Sequence, residues 1–298
     1  MEFRTLRAFV EVVRQGGFSH AAKTVFATQS TVSKAVKQLE DEIGAPLFDR
    51  IGHKTRLTDL GEAVYPRAVK LLADRGDLLA EIDEMRGLKR GTLRLGLPPV
   101  ASSSIFAPLL ARFRSRYPGI DVRLTEHGGD ELMNLVRSGD LELAATLFLQ
   151  AEELDWQDVR REPLVVVLAA DHPYARASST DFTRLKDLPF LLFAEGFAIN
   201  RVILQACRRH GFEPAIAAQS SQVDFLVELA ASGLGVAFLP QSLAEHARSA
   251  RVGTLLLTEP ETEWRLTMIW RRGAYLSHAA RAWLEMAQNS GFDSAAIP

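Results

Sequence analysis

Apolar residues recur at helical spacing at the start of the chain. Leu6, Phe9, Val10 and Val13 fall on one stripe and predict a first helix, broken by Gly16-Gly17. Ser19 is a candidate cap for a short second helix carrying Ala21, Ala22 and Val25, whose small side chains let two helices cross closely. Thr28 or Ser30 then caps a third helix. Val32, Ala35, Val36, Leu39 and Ile43 form its buried face, and Gln29, Thr31, Ser33, Lys34 and Lys37 the opposite one. Gly44 to Arg50, with Pro46-Leu47-Phe48, reads as the start of a wing. Thr58 caps a longer helix with Asp59 and Glu62 in its first turn, running to about Arg86 before Gly87. Leu71, Leu78, Ile82 and Met85 keep an approximate heptad rhythm along it, interrupted by Arg75. Pro66, inside that helix, bends it or removes one hydrogen bond.

From Thr92 the pattern changes. Strands at Thr92–Leu97, Ile120–Glu126, Leu141–Phe148 and Leu164–Ala170 alternate with helices at Ser102–Arg116 and Asp130–Ser138. A second set follows: Phe190–Phe193, a helix from Asn200 to His210, Ala215–Gln219, a helix from Gln222 to Ser232, and Gly235–Leu239. A strand at Trp264–Trp270 and a helix at Ser277–Met286 close the series. Such alternation predicts α/β structure with a mostly parallel sheet.

The order helix, turn, helix, wing is that of a DNA-reading unit. In such motifs the third helix enters the major groove with its N-terminal side chains at base edges. Gln29 and Thr31 suit bases, with Ser30 and Ser33 beside them. Lys34 reaches a guanine edge or a phosphate, and Lys37, further along, a phosphate. The alternative is a small helical bundle whose polar face simply meets water. The combined order of alanines, capped helix and Pro46-Leu47-Phe48 argues against it.

These residues resemble the LysR-type transcriptional regulators. The resemblance is carried by Phe9, Gly17, Phe18, Ala21, Ala22, Gln29, Ser30, Ser33, Leu39, Glu40, Leu47, Phe48, Arg50, Leu57, Thr58 and Gly61, which fall at the family's spacing. One departure is Thr31, where the family often has proline. The resemblance implies an α+β multi-domain chain with no catalytic site. Its parts are an N-terminal winged helix-turn-helix (1–58), a long linker and dimerisation helix (59–87), and a C-terminal two-lobed α/β effector domain of periplasmic-binding-protein-like fold (88–298). The lobes are expected at about 92–162 with 267–298, and about 163–266. It also implies a dimer, assembled further into a homotetramer, on an interrupted palindromic promoter site in double-stranded DNA, with RNA polymerase as a further partner. Two reading heads on one two-fold axis match a palindrome.

Composition changes this picture little, and charge supports it. A chain of 298 residues, 47% of them hydrophobic, suits two or three domains. One cysteine, Cys207, excludes an internal disulfide framework and fits a reducing cytoplasm. It reads as a buried helix residue, since nothing beside it signals an activated thiolate. No apolar signal segment is expected, and the longest apolar runs are too short to span a bilayer. Residues 1–58 hold nine Lys/Arg against six Asp/Glu, a net +3, while the whole chain carries −2, leaving −5 for the rest. The basic part is the part that reads as DNA-binding. In the wing, Arg50, His53, Lys54 and Arg56 are candidates for phosphate or minor-groove contact, against the alternative of a solvated loop.

Ligands of open α/β sheets sit beyond the carboxyl ends of strands. Here those places are Pro99-Val100-Ala101-Ser102-Ser103, His127-Gly128-Gly129, Phe193 to Asn200, and Ser220-Ser221-Gln222. The serines and free N–H groups at a helix start form an anion site suited to a carboxylate, or the serines simply cap the helix. His127 is a donor to an anion or a turn residue; Phe197 is a candidate cleft wall; Glu195 suits a polar group or a residue bridging the lobes. Pro98-Pro99, Glu195-Gly196-Phe197, Ala206 to Gly211 and Trp264 to Arg272 resemble a CidR-like branch of the family, which implies a small carboxylate such as acetate or pyruvate. An enzyme is the competing class, but the chain carries no phosphate loop, zinc-ligand spacing or nucleophile elbow, and calls for no cofactor or metal. A second competitor is a constitutive DNA-binding protein whose C-terminal half only oligomerises.

Overall fold

The structure, a computed structural model, describes residues 1–49, 55–85, 91–101, 105–148, 151–246 and 250–289. The backbone divides near residue 87 into two compact units. The first contains α1 (Phe3–Arg14), α2 (Phe18–Thr24), α3 (Gln29–Ile43), the short strands β1 (Phe48–Asp49) and β2 (Arg56–Leu57), and α4 (Asp59–Met85). Its core is the predicted one, with Leu6, Phe9, Val10, Ala21, Ala22, Val32, Ala35, Val36 and Leu39 all buried. Phe48 brings the wing into that core, its ring 5.4 Å from Phe9 and 5.5 Å from Phe18. The first part of α4 packs on the same core through Ala68 and Val69.

Local hydrogen bonds fix the elements. Thr28 is the cap of α3, its Oγ1 accepting from Thr31 N at 3.2 Å. Ser19 is not a cap. It lies inside α2, after Gly17, and its hydroxyl donates to Gln29 Oε1 at 3.0 Å. Thr58 Oγ1 accepts from Gly61 N at 3.0 Å and donates to Pro46 O at 2.9 Å, so the cap of α4 also holds the root of the wing. Between α2 and α3, Phe26 adopts φ 54° with its side chain 97% exposed. The left-handed conformation costs an L-residue about 1–2 kcal/mol, and an exposed ring recovers none of it by packing. Phe26→Asn should therefore raise thermal stability of the full chain, by about 1 kcal/mol. An unchanged or lower melting temperature would mean that the ring is held by contacts the turn does not reveal.

The second unit begins with β3 (Gly91–Leu97), α5 (Pro99–Ala101), α6 (Ala107–Arg116), β4 (Ile120–Glu126), α7 (Gly129–Arg137), β5 (Leu143–Leu147) and β6 (Leu154–Glu162). The chain then crosses to β7 (Leu164–Ala169), β8 (Ser179–Thr180), α8 (Phe182–Leu185), β9 (Phe190–Phe193), α9 (Ala198–Arg209), β10 (Ile216–Ser220), α10 (Val223–Ala231), β11 (Val236–Pro240), α11 (Gln241–His246) and β12 (Val252–Leu257). It returns as β13 (Trp264–Arg271) and ends its described part in α12 (His278–Gln288), capped by Ser277. Strand order is β4-β3-β5-β13-β6 in the first lobe and β10-β9-β11-β7-β12-β8 in the second.

The sheets are mixed rather than mostly parallel. β3 runs parallel to β4 and β5, and β9 to β10 and β11, but β13 and β7 are antiparallel to their long neighbours. These are the strands that receive the chain directly from the other lobe. They arrive without the helical crossover a parallel neighbour requires. The helix expected from Ser102 is helical from its first described residue, with a π turn at Ile105–Phe106 leading into α6 at Ala107 and Pro108 in the first turn of α6; residues 102–104 lie outside the described part. At the crossing, the buried Glu162 carboxylate accepts from Ser242 N at 3.2 Å and from Ser242 Oγ at 2.7 Å, tying the end of β6 to α11.

Candidate functional sites: a recognition helix and an interlobe cleft

The exposed face of α3 carries Gln29, Ser30, Thr31, Ser33, Lys34 and Lys37, as the sequence pattern requires. Several of these side chains are already engaged. Gln29 Oε1 is held by Ser19, and the Thr28 hydroxyl lies 2.9 Å from that of Ser30 and 2.8 Å from that of Thr31. These bonds pin the first turn in which a proline is often found in the resembling family. Lys37 pairs with Asp41 at 2.8 Å, so it reaches a phosphate only by leaving that partner. Lys34 is exposed, and among the described residues no carboxylate lies within ion-pair distance of it. The wing candidates Arg50, His53 and Lys54 lie outside the described residues.

Glu40 is buried on the inner side of α3. Its Oε1 accepts from Leu47 N at 2.8 Å and from Phe48 N at 3.4 Å, which fixes the start of the wing relative to the recognition helix. In the sequence, Glu40 is marked only by the family resemblance. The signal available was a carboxylate at the end of an otherwise apolar face.

In the second unit, a cleft of about 360 Å³, counting its solvent-open part, is lined by Pro98, Val100, Gly129, Thr146, Leu147, Phe197, Ala198, Ile199, Trp264 and Leu266. Pro98 and Val100 follow β3, and Thr146 and Leu147 end β5, so the cleft lies beyond the carboxyl ends of adjacent parallel strands. Its walls are apolar. Phe193 and Phe197 stack at 5.3 Å between centroids. Asn200 fixes that turn, donating to Phe193 O at 2.8 Å and Ala194 O at 3.2 Å and accepting from Phe193 N at 3.1 Å.

One polar group stands out in the apolar wall. Thr146 is 1% exposed, and its Oγ1 has no hydrogen-bond partner among the described residues. It faces the first residue of α7: a Cβ on Gly129 would lie 2.6 Å from it. The first N–H groups of a helix have no intrahelical acceptor. The hydroxyl thus lies, without a partner among the described residues, against the start of α7 at one corner of the cleft.

Of the effector candidates read from the sequence, Val100 and Phe197 line this cleft, and Pro99 and Ala101 share α5 with Val100. Gly128 lies at its edge against Gly196, where a Cβ would meet Gly196 O at 2.9 Å. His127, Glu195 and Ser221 are exposed and do not line it; Ser102 and Ser103 lie outside the described residues. The bridge between lobes that Glu195 was a candidate to make is made instead by Arg201, whose guanidinium lies 2.5 Å from Asp130. Cys207 is fully buried in α9, and burial pushes its thiol up to about 11, far from an activated thiolate.

Residues 3–62 match the profile described as bacterial regulatory helix-turn-helix protein, lysR family, and residues 86–291 match the LysR substrate binding domain. The chain belongs to the LysR family. It is 33% identical over 294 residues, 98% of both chains, to the uncharacterized HTH-type transcriptional regulator YwbI of Bacillus subtilis strain 168. Among solved structures it resembles full-length OxyR of Pseudomonas aeruginosa, a cysteine-to-aspartate variant, with a TM-score of 0.72 at 24% identity, covering 100% of this chain and 99% of that one. It also resembles full-length CbnR in complex with its target DNA, at a TM-score of 0.60 and 22% identity, covering 97% and 100%. This LysR-family chain is a DNA-binding transcriptional regulator with an effector-binding domain, and not an enzyme.

Proposed function

We propose that this regulator binds an interrupted palindromic promoter site as a dimer, assembled further into a homotetramer in the cytoplasm, and that a small carboxylate in the cleft biases how it holds that DNA. Gln29, Ser30, Thr31, Ser33 and Lys34 meet base edges or nearby phosphates, and Lys37 a phosphate once freed from Asp41. Arg50, His53 and Lys54 in the wing contact the backbone beyond. The protein whose structure with target DNA resembles this chain, CbnR, supports the docking. Exposed Leu71, Leu78 and Leu79 on α4 supply the apolar stripe that a second copy of the helix covers. Effector binding shifts the arrangement of the lobes, hence the angle between reading heads and the contact with RNA polymerase. It does so only if it binds the two arrangements unequally.

The observation that carries the carboxylate reading is the unpartnered Thr146 hydroxyl at the start of α7. A buried hydroxyl without a partner is costly, and a ligand oxygen accepting from it and from the helix amides relieves that cost. Thr146→Val should raise the melting temperature of the ligand-free protein, by about 1 kcal/mol of stability, because it removes an unsatisfied group. The same change should weaken acetate or pyruvate binding by roughly tenfold in calorimetry, the value of one hydrogen bond to a charged group. Unchanged affinity in the variant would remove Thr146 from the effector site.

A further inference from the structure

Contacts between the lobes at the rim of the cleft include two of different kinds. In one, backbone meets backbone: Gly128 lies so close to Gly196 that a Cβ would approach its carbonyl oxygen to 2.9 Å. In the other, Asp130, next to the cleft-lining Gly129, holds Arg201, which follows the cleft-lining Ala198 and Ile199 on α9. The carboxylate comes from the first lobe and the guanidinium from the second. Both are half-exposed, at 51% and 40%, so the pair is weak and exchangeable.

We infer that Asp130 is a built-in stand-in for the effector's carboxylate: it holds Arg201 across the lobes and yields it to the ligand. This rests on the reading of the cleft as a carboxylate site and identifies the side chain that would read the charge. The unpartnered Thr146 hydroxyl and the amides at the start of α7 set one end of the ligand. A carboxylate lodged there stands beside Asp130, and two like charges so close disfavour each other. Arg201 supplies a cation at this rim, and its planar fork suits a carboxylate in two-point contact. When it turns to the ligand, the ion pair across the lobes is lost and the lobes are joined through the ligand instead. The ligand class is therefore a small monocarboxylate, discriminated from its neutral amide by Arg201.

The test compares pyruvate with pyruvamide, by calorimetry, on the full-length wild type, Asp130→Asn and Arg201→Gln. The pair is at the surface, so neither variant should lose its fold; melting temperature checks this. Asp130→Asn removes the competitor and should tighten pyruvate about threefold to fivefold, leaving pyruvamide unchanged. Arg201→Gln should lower the preference for pyruvate over pyruvamide by about tenfold. Wild-type preference for pyruvate that both variants retain in full would overturn the exchange while leaving the carboxylate site standing. Absence of any preference in the wild type would overturn the carboxylate reading itself, and the exchange with it.

Discussion

Gly61→Ala should cost the N-terminal unit about 3 kcal/mol or more and abolish DNA binding at ordinary temperatures. A methyl group at this position would lie 2.2 Å from Leu47 O and 2.9 Å from Leu57 Cδ2. The first of these is backbone, so no rotamer change relieves it. Leu47 O also accepts from Thr58 N at 3.0 Å, and Leu47 N is held by Glu40. Pushing Leu47 away therefore breaks the link between wing and linker helix and the link between wing and recognition helix together. Each leaves a buried backbone group unsatisfied, which adds to the steric cost. Thermal unfolding of the full chain, with DNA binding measured beside it, reads both effects. A variant that melts and binds like the wild type would show that α4 can slide away from the wing without consequence, and that the two are not one packed unit.

Lys34→Ala should weaken binding to the protein's own promoter DNA by about tenfold to a hundredfold, the usual range for a side chain at a base edge. Among the candidates on α3 it is a cation with no carboxylate at ion-pair distance among the described residues, so none of those carboxylates competes with DNA for it. If it reads a guanine, the loss falls on specific sequence more than on scrambled duplex. Lys37→Ala should behave differently. Its loss is smaller, because the pair with Asp41 must first be given up, and it falls evenly on all sequences while lowering the salt slope by about one. Titrations of both variants against both duplexes separate the roles. A Lys34→Ala protein that binds its promoter as tightly as the wild type would take the N-terminal half of α3 out of the groove.

The reading face of α3 was legible because an amphipathic helix writes its period into the sequence: Val32, Ala35, Val36 and Leu39 turn inward, and everything between them faces out. The pairing of Ser19 with Gln29 was not, because both residue types also cap helices and the choice depends on how α2 crosses α3. The strand β6 escaped notice for a related reason. Asp155, Asp158, Arg160 and Arg161 make it look like a solvated loop. In the sheet, however, Asp158 is bound by Arg265 at 2.7 Å and Asp155 by Arg272 at 2.9 Å, so charge is matched across strands. Val100 and Phe197 were legible as cleft candidates because each lies just past the end of a strand. Thr146 was hidden within the apolar run Ala144-Ala145-Thr146-Leu147, where a threonine is an ordinary strand residue until its hydroxyl is found without a partner. The bridge from Asp130 to Arg201 joins positions 71 residues apart, and only the meeting of the lobes brings them together.

The measurement closest to the central claim is equilibrium binding of the full-length wild type to duplex from upstream of its own gene, against a scrambled duplex, across a salt series. The account predicts a preference of about a thousandfold or more for the native sequence, with both affinities falling steeply as salt rises. Equal and weak binding to the two duplexes would leave only a basic surface on α3 and contradict the assignment of that helix as the reader of DNA.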